Sequence, residues 1–309
     1  MMRKIISTAL FIIFAGFVFS LTACSEAEAV ETKIYGSINY KLSNDEDSNG
    51  KHNLKAENNS SYVGIDASEG IGEGINGFAQ LEVGVDTDDS NNNPFDSRIA
   101  LVGLDFGEVG SLSAGRQSSP FTDNISGHTD VFEVYGSSAD QSLFVRDTNT
   151  IAYSNVVGPI TFDGLAKVDG STGESGVDVQ EGTITYDGST VTVSGGISSD
   201  EVNDIYYYGL GLTADATSIG IPVTVGYTYT LKDAATDVTG NEIVGSYSTG
   251  NATITGGYGK IEDSTSFYTA GLSYGITDSL YSYVEFEHSD KTGSANDTDN
   301  YSTGLKFTF

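Results

Sequence analysis

The sequence predicts an all-β chain: a transmembrane antiparallel β-barrel of about sixteen strands. Three observations point there, namely a composition suited to strands and turns, side chains that alternate apolar and polar, and connections that alternate short and long. Of 309 residues 38 are Gly, 18 Tyr and 15 Phe against 4 Pro, and 38% are hydrophobic, a usage that favours strands and turns. The 43 Asp and Glu against 14 Lys and Arg give a formal charge of -29. Such acidity excludes nucleic acid as a partner, because a duplex needs a basic face to displace its counterions. One Cys and three His exclude an intrachain disulfide and offer little for a His-based metal site, so no metal and no cofactor is expected.

Residues 1–29 read as a signal peptide. Arg3 and Lys4 form a positive start, Ile5 to Leu21 an apolar run, and Ala27-Glu28-Ala29 a small-x-small cleavage pattern. The domain proper is then 30–309. Leu21-Thr22-Ala23-Cys24 fits a lipoprotein box as well, so lipidation at Cys24 stands as the competing route. Beyond residue 29 no apolar run approaches the roughly 18 residues of a membrane helix.

Alternation begins at once. Ile34, Ile38, Tyr40 and Leu42 oppose Lys33, Tyr35, Ser37, Asn39 and Lys41; Ala79, Leu81 and Val83 oppose Gln80 and Glu82; Tyr206, Tyr208, Leu210 and Leu212 oppose Gly209 and Gly211. This is the period of two that a strand imposes. Such runs place strands near 32–42, 61–69, 75–86, 97–106, 111–117, 148–155, 159–169, 181–187, 190–198, 203–213, 221–231, 240–247, 251–261, 265–275, 279–288 and 299–309. Short connections such as 107–110, 156–158 and 276–278 alternate with mostly longer acidic ones at 43–60, 87–96, 118–147, 170–180 and 289–298. Outer-membrane barrels have that asymmetry, with tight periplasmic turns and long outer loops, whereas a soluble sandwich has no reason to keep it.

About sixteen strands leave an aqueous channel. Lys41, Asp66, Glu82, Lys167, Glu285, Glu287 and Lys306 fall opposite the apolar faces and read as pore lining, as does Tyr62. Other motifs fail on inspection. Gly72-Glu73-Gly74-Ile75-Asn76-Gly77 spells G-x-G-x-x-G, but a strand follows where a dinucleotide site needs a helix. Asp45-Glu46-Asp47-Ser48-Asn49-Gly50 opens like a calcium loop whose twelfth position is Ala56 instead of Glu. His52, His128 and His288 show no ligating spacing.

Three stretches resemble the general, non-specific porins of Gram-negative outer membranes. They are Ser61-Tyr62-Val63-Gly64-Ile65 running on to Gln80-Leu81-Glu82; Arg98 to Leu112 followed by Gly115-Arg116-Gln117; and the alternating end Tyr301, Thr303, Leu305, Phe307, Phe309. The resemblance implies an outer-membrane channel, no enzyme, that passes small hydrophilic solutes and ions by passive diffusion. It implies a third outer loop, here Ser118 to Asp147, folded into the lumen. Asp130 and Glu133 match the loop's acidic constriction segment, and Arg116 and Arg146 match arginines of the facing wall. Tyr62 departs from the family, which often has Arg there. The resemblance further implies a homotrimer in outer-membrane lipid and lipopolysaccharide, and Tyr301, Leu305, Phe307 and Phe309 as a signal to the barrel assembly machinery. Acids outnumber bases on the inward faces and at the mouth, where Asp45, Glu46, Asp47, Asp88 and Asp89 lie, so a cation preference is expected. A solute-specific channel and a barrel hydrolase are the alternatives, the latter disfavoured because adjacent His288 and Ser289 point to opposite faces.

Overall fold

The computed structural model describes residues 29–47, 49–88, 93–170, 176–293 and 297–309. Residues 1–28 of the expected signal, with Cys24, and Asp89 of the second acidic loop lie outside them.

The strands are β1 (Glu31–Glu46), β2 (His52–Asn58), β3 (Tyr62–Gly72), β4 (Ile75–Val85), β5 (Phe95–Asp105), β6 (Ser111–Ser118), β7 (Arg146–Val157), β8 (Ile160–Lys167), β9 (Val179–Asp187), β10 (Val191–Asp200), β11 (Ile205–Asp215), β12 (Val223–Asp233), β13 (Val238–Thr249), β14 (Ala252–Ile261), β15 (Thr265–Gly275), β16 (Leu280–Lys291) and β17 (Thr298–Thr308). A short helix, α1 (Pro120–Ile125), follows β6. The first half of β1 pairs with β3 and its second half with β2, so β2 and β3 act as one stave interrupted at 59–61. Every pairing is antiparallel, and β1 meets β17 from Ser37 opposite Thr308 to Asn44 opposite Tyr301. Sixteen staves therefore close on themselves, which removes every sheet edge.

One expectation needs correction. The stretch 43–60 is no loop: β1 continues to Glu46 and β2 returns along it. Within His52–Asn58 only Leu54 and Ala56 are apolar, alternating with Asn53, Lys55 and Glu57, and Leu54 is 76% exposed. Two apolar positions among Asn, Asp, Ser and Gly residues are too short a run for the period of two to stand out, so the sequence reads as a loop.

Facing follows the predicted parity. In β1, Ile34, Ile38, Tyr40 and Leu42 are exposed while Ser37, Asn39 and Ser43 are buried. Apolar exposure continued around all the staves would aggregate a water-soluble protein; on a barrel it is the lipid-facing band. Among the described residues no helix is long and apolar enough to cross a membrane, and the strands do so instead. At the tight β3–β4 turn Gly72, Glu73 and Gly74 all have positive φ (101°, 54° and 76°), which explains the first two glycines of the G-x-G-x-x-G stretch.

Inside, the buried residues are mostly polar, and the apolar cluster of Phe121, Ile125 and Tyr207 involves the segment between β6 and β7. Elsewhere inward-facing rings lie flat on glycines of the next stave. Tyr35 covers Gly64, Phe78 covers Gly103 and Tyr283 covers Gly304, and a Cβ at any of these glycines would overlap the ring.

Candidate functional site

The segment between β6 and β7 lies against the inward faces of β8 to β16. It begins with α1, whose start is dictated locally: the Ser119 hydroxyl accepts from the Thr122 N–H at 3.0 Å and Pro120 opens the first turn. Four wall glutamates then hold the segment by its backbone N–H groups and serine hydroxyls. Glu181 on β9 accepts from the Ser119 hydroxyl at 2.7 Å and from the Phe121 N–H at 3.3 Å. Glu285 on β16 accepts three consecutive N–H groups, those of Glu133, Val134 and Tyr135, at 2.6, 2.9 and 3.2 Å. Glu242 on β13 accepts from the Ser137 and Ala139 N–H groups, and Glu287 from the Ser138 hydroxyl at 3.0 Å. Hydrogen bonds to a charged acceptor are the strong ones, and here most of them satisfy backbone donors that have no sheet partner.

Glycines make room for this contact. A Cβ on Gly226 (β12) would overlap the His128 carbonyl oxygen, and one on Gly240 (β13) the Ala139 carbonyl oxygen. At Gly209 it would come within 2.9 Å of Phe121 and Ile125, and at Gly257 and Gly271 within 3.2 Å of Phe132. His128 is held between Thr213 (2.7 Å) and Ser194 (2.9 Å), and burial pushes its imidazole below the usual range, which favours the neutral ring.

The opposite part of the wall is charged. On β7, Arg146 has Arg98, Glu82, Asp123 and Arg116 as charged neighbours. Arg98 is ion-paired to Glu82, and its guanidinium stacks 4.6 Å from the Tyr62 ring centre. Tyr62 thus occupies the place where the resemblance leads one to expect an arginine, and holds one from the next-but-one strand. Sequence parity missed Arg98, which alternates in step with outward-facing Val102. A register shift between Glu82 and Val83, opposite 97–99, re-aims it. Arg116 also sits at a register shift, between Gly115 and Gln117, and donates to the Ser97 carbonyl at 3.0 Å.

The remaining expected site residues fall as follows. Glu133 is not free: Lys306 donates to it at 3.1 and 3.2 Å, Asn39 at 3.1 Å, and the Tyr281 hydroxyl donates to its other oxygen. Lys41 pairs with Glu57 at 3.4 Å, and Lys167 with Asp147 at 2.7 Å and Asp169 at 3.3 Å. Glu285 and Glu287, read from sequence as lining charges, are fastenings for the segment. Asp130 faces solvent, yet the surrounding wall displaces enough water to push its carboxyl above the ordinary range, with Glu133 and Asp140 adding to the effect. Burial raises Asp123 too, against the pull of Arg146. Tyr301, Leu305, Phe307 and Phe309 are all exposed on the outer face of the last stave, and the Phe309 backbone exchanges two 3.0 Å hydrogen bonds with Gly36. Among the described residues no group of His, Cys, Asp and Glu is placed to hold a metal ion.

Comparison with known proteins bears on this arrangement. The family pattern described as Gram-negative porin matches residues 9–309. An outer membrane porin protein of Bordetella pertussis is 27% identical over 170 residues, a stretch that takes in 51% of this chain and 44% of that relative. Less than half of the relative's length is therefore matched. An anion-selective porin from Comamonas acidovorans superposes with a TM-score of 0.78 at 15% identity, over 91% of this chain and 100% of that one. OmpF of Salmonella typhi, in complex with daunomycin, gives 0.71 at 17% identity, over 90% and 97%. Identities this low speak to the fold.

Proposed function

From the premise that this chain belongs to the Gram-negative porin family and is an outer-membrane channel, we propose that it passes small hydrophilic solutes and ions by passive diffusion, with moderate cation preference. The observation that carries this reading is the segment 119–145, fastened along one side of the inner wall while charged residues line the other. The segment sets the width; Asp123, a charged neighbour of Arg146, and Asp130 set the local field together with Arg116 and Arg146. No step of the reading uses a nucleophile or a general base.

Cation preference follows from charge that is left unpaired. Glu82, Glu133, Glu285 and Glu287 are engaged by the wall or the segment, and Lys41, Arg98, Lys167 and Lys306 are paired. At the constriction Asp123, Asp130 and the neighbouring Asp140 outnumber Arg116 and Arg146. The chain's net charge of -29 reinforces that sign, with Asp45, Glu46, Asp47 and Asp88 among the acids at the mouth. A low-dielectric wall focuses that potential, and salt screens it over roughly 8 Å at physiological strength. The zero-current potential across a planar bilayer under a potassium chloride gradient tests this: a cation-selective sign that shrinks as salt rises is expected. An anion-selective sign overturns it. The channel works as a homotrimer in lipid and lipopolysaccharide, and the exposed aromatic end of β17 serves as its signal to the assembly machinery.

A further inference from the structure

Two opposite charges on the inner wall have no ion-pair partner among the described residues. Lys33 on β1 and Asp66 on β3 are direct register partners. They share the inward face, since their neighbours Ile34 and Ile65 are exposed on the lipid side. Lys41, Arg98, Lys167 and Lys306 elsewhere on the wall each hold a carboxylate. Lys33 and Asp66 instead line one recess of about 370 Å³ with Glu31, Ser68, Phe78 and Gln80. All six are at inward positions near the tight β3–β4 turn, so the recess opens on the lumen at its periplasmic end. Its volume falls within the roughly 300–1,000 Å³ typical of small-molecule sites.

The recess is also rigid and partly apolar. Phe78 lies flat on Gly103, and Tyr35, beside it, lies on Gly64. Gln80 Nε2 donates to the Tyr35 hydroxyl at 2.7 Å and fixes both side chains. An ammonium, a carboxylate, an amide and an aromatic plate therefore converge on one space.

We propose that this recess is a transit subsite for zwitterionic solutes, namely free α-amino acids with apolar side chains. The solute carboxylate meets Lys33, its ammonium meets Asp66 with Glu31 behind, and its side chain lies along Phe78. A zwitterion supplies both counter-charges at once and at fixed spacing, which a lone salt ion cannot do. This deepens the channel reading above and rests on it.

The test uses the purified protein in a planar bilayer, with potassium chloride conductance established first and L-leucine titrated from the periplasmic side. Leucine should reduce the current saturably. N-acetyl-leucine and leucine methyl ester, each lacking one of the two charges, should need at least tenfold higher concentration for half-block. Lys33→Gln and Asp66→Asn should each raise the half-blocking concentration of leucine at least tenfold, in protein whose electrophoretic mobility before heating shows a folded barrel. Non-saturating block, or equal block by the two analogues, overturns the subsite while leaving the channel intact. Absence of potassium chloride conductance removes the channel reading itself.

Discussion

The two sides of the inner wall use the same residue to opposite ends. Along β11 to β15, Gly209, Gly226, Gly240, Gly257 and Gly271 clear a track for the backbone and side chains of the 119–145 segment. On β3, β5 and β17, Gly64, Gly103 and Gly304 seat rings that belong to the wall itself. One side is a seat for a separate part, held by glutamates; the other is finished surface, stiffened by aromatic plates and closed ion pairs. A missing Cβ therefore marks width on one side and rigidity on the other. Changing it should alter conduction in the first case and stability in the second.

The sharpest way to break this contrast is Gly226→Leu or Gly240→Leu. Each would drive a side chain into a backbone carbonyl of the segment, which cannot yield without leaving the wall. Single-channel conductance should rise at least twofold, with a larger solute cutoff in liposome swelling. Gly245→Leu and Gly256→Leu, on β13 and β14 where an added Cβ meets nothing within 4 Å, should change neither.

A smaller effect is expected from Glu285→Gln. It leaves the shape of the wall intact but removes the charge that three N–H groups share, a loss of roughly 2 kcal/mol in the hold on the segment. Open-channel noise should increase while the barrel's melting temperature stays put; an equally quiet trace would show that the fastening is redundant.

On the finished side, Gly64→Ala should displace Tyr35. A cost of about 1–3 kcal/mol from overpacking is expected, read as a lower unfolding midpoint in denaturant with conductance unchanged.

The mildest test is acidification. The Asp123 and Asp130 carboxyls are held above the ordinary range, so as pH falls they take up protons earlier than exposed aspartates. Their negative charge is fully present above the raised value and disappears below it. Cation preference should therefore begin to decline at a pH above the normal aspartate range, and Asp130→Asn should flatten the upper part of that decline.

The barrel was legible because lipid on one side and water on the other force alternation on each stave. The period of two located the sixteen staves and the outward aromatic end of β17. It failed where the apolar run was too short or the register shifted. His52–Asn58 has only two apolar positions, Leu54 and Ala56, and Arg98 and Arg116 sit at register shifts, where alternation does not report facing. Parity also reports only that Glu285 and Glu287 point inward. Whether an inward carboxylate meets solvent or three backbone N–H groups depends on a segment about 150 residues away in the chain, which no local pattern encodes.

The seam between β1 and β17 has a consequence for how the molecule comes into being. Gly36 and Phe309 exchange their two hydrogen bonds across nearly the whole sequence, so this ladder carries the largest loop-closure entropy in the molecule and is the slowest to form. The other staves can zip hairpin by hairpin, each templated by its neighbour. Until the last pairing is made, the growing sheet has two open edges and an apolar face with nothing to cover it. Closure is therefore a kinetic bottleneck as much as a geometric property, and the chain depends on being held at a membrane, away from its own copies, for as long as the seam stays open.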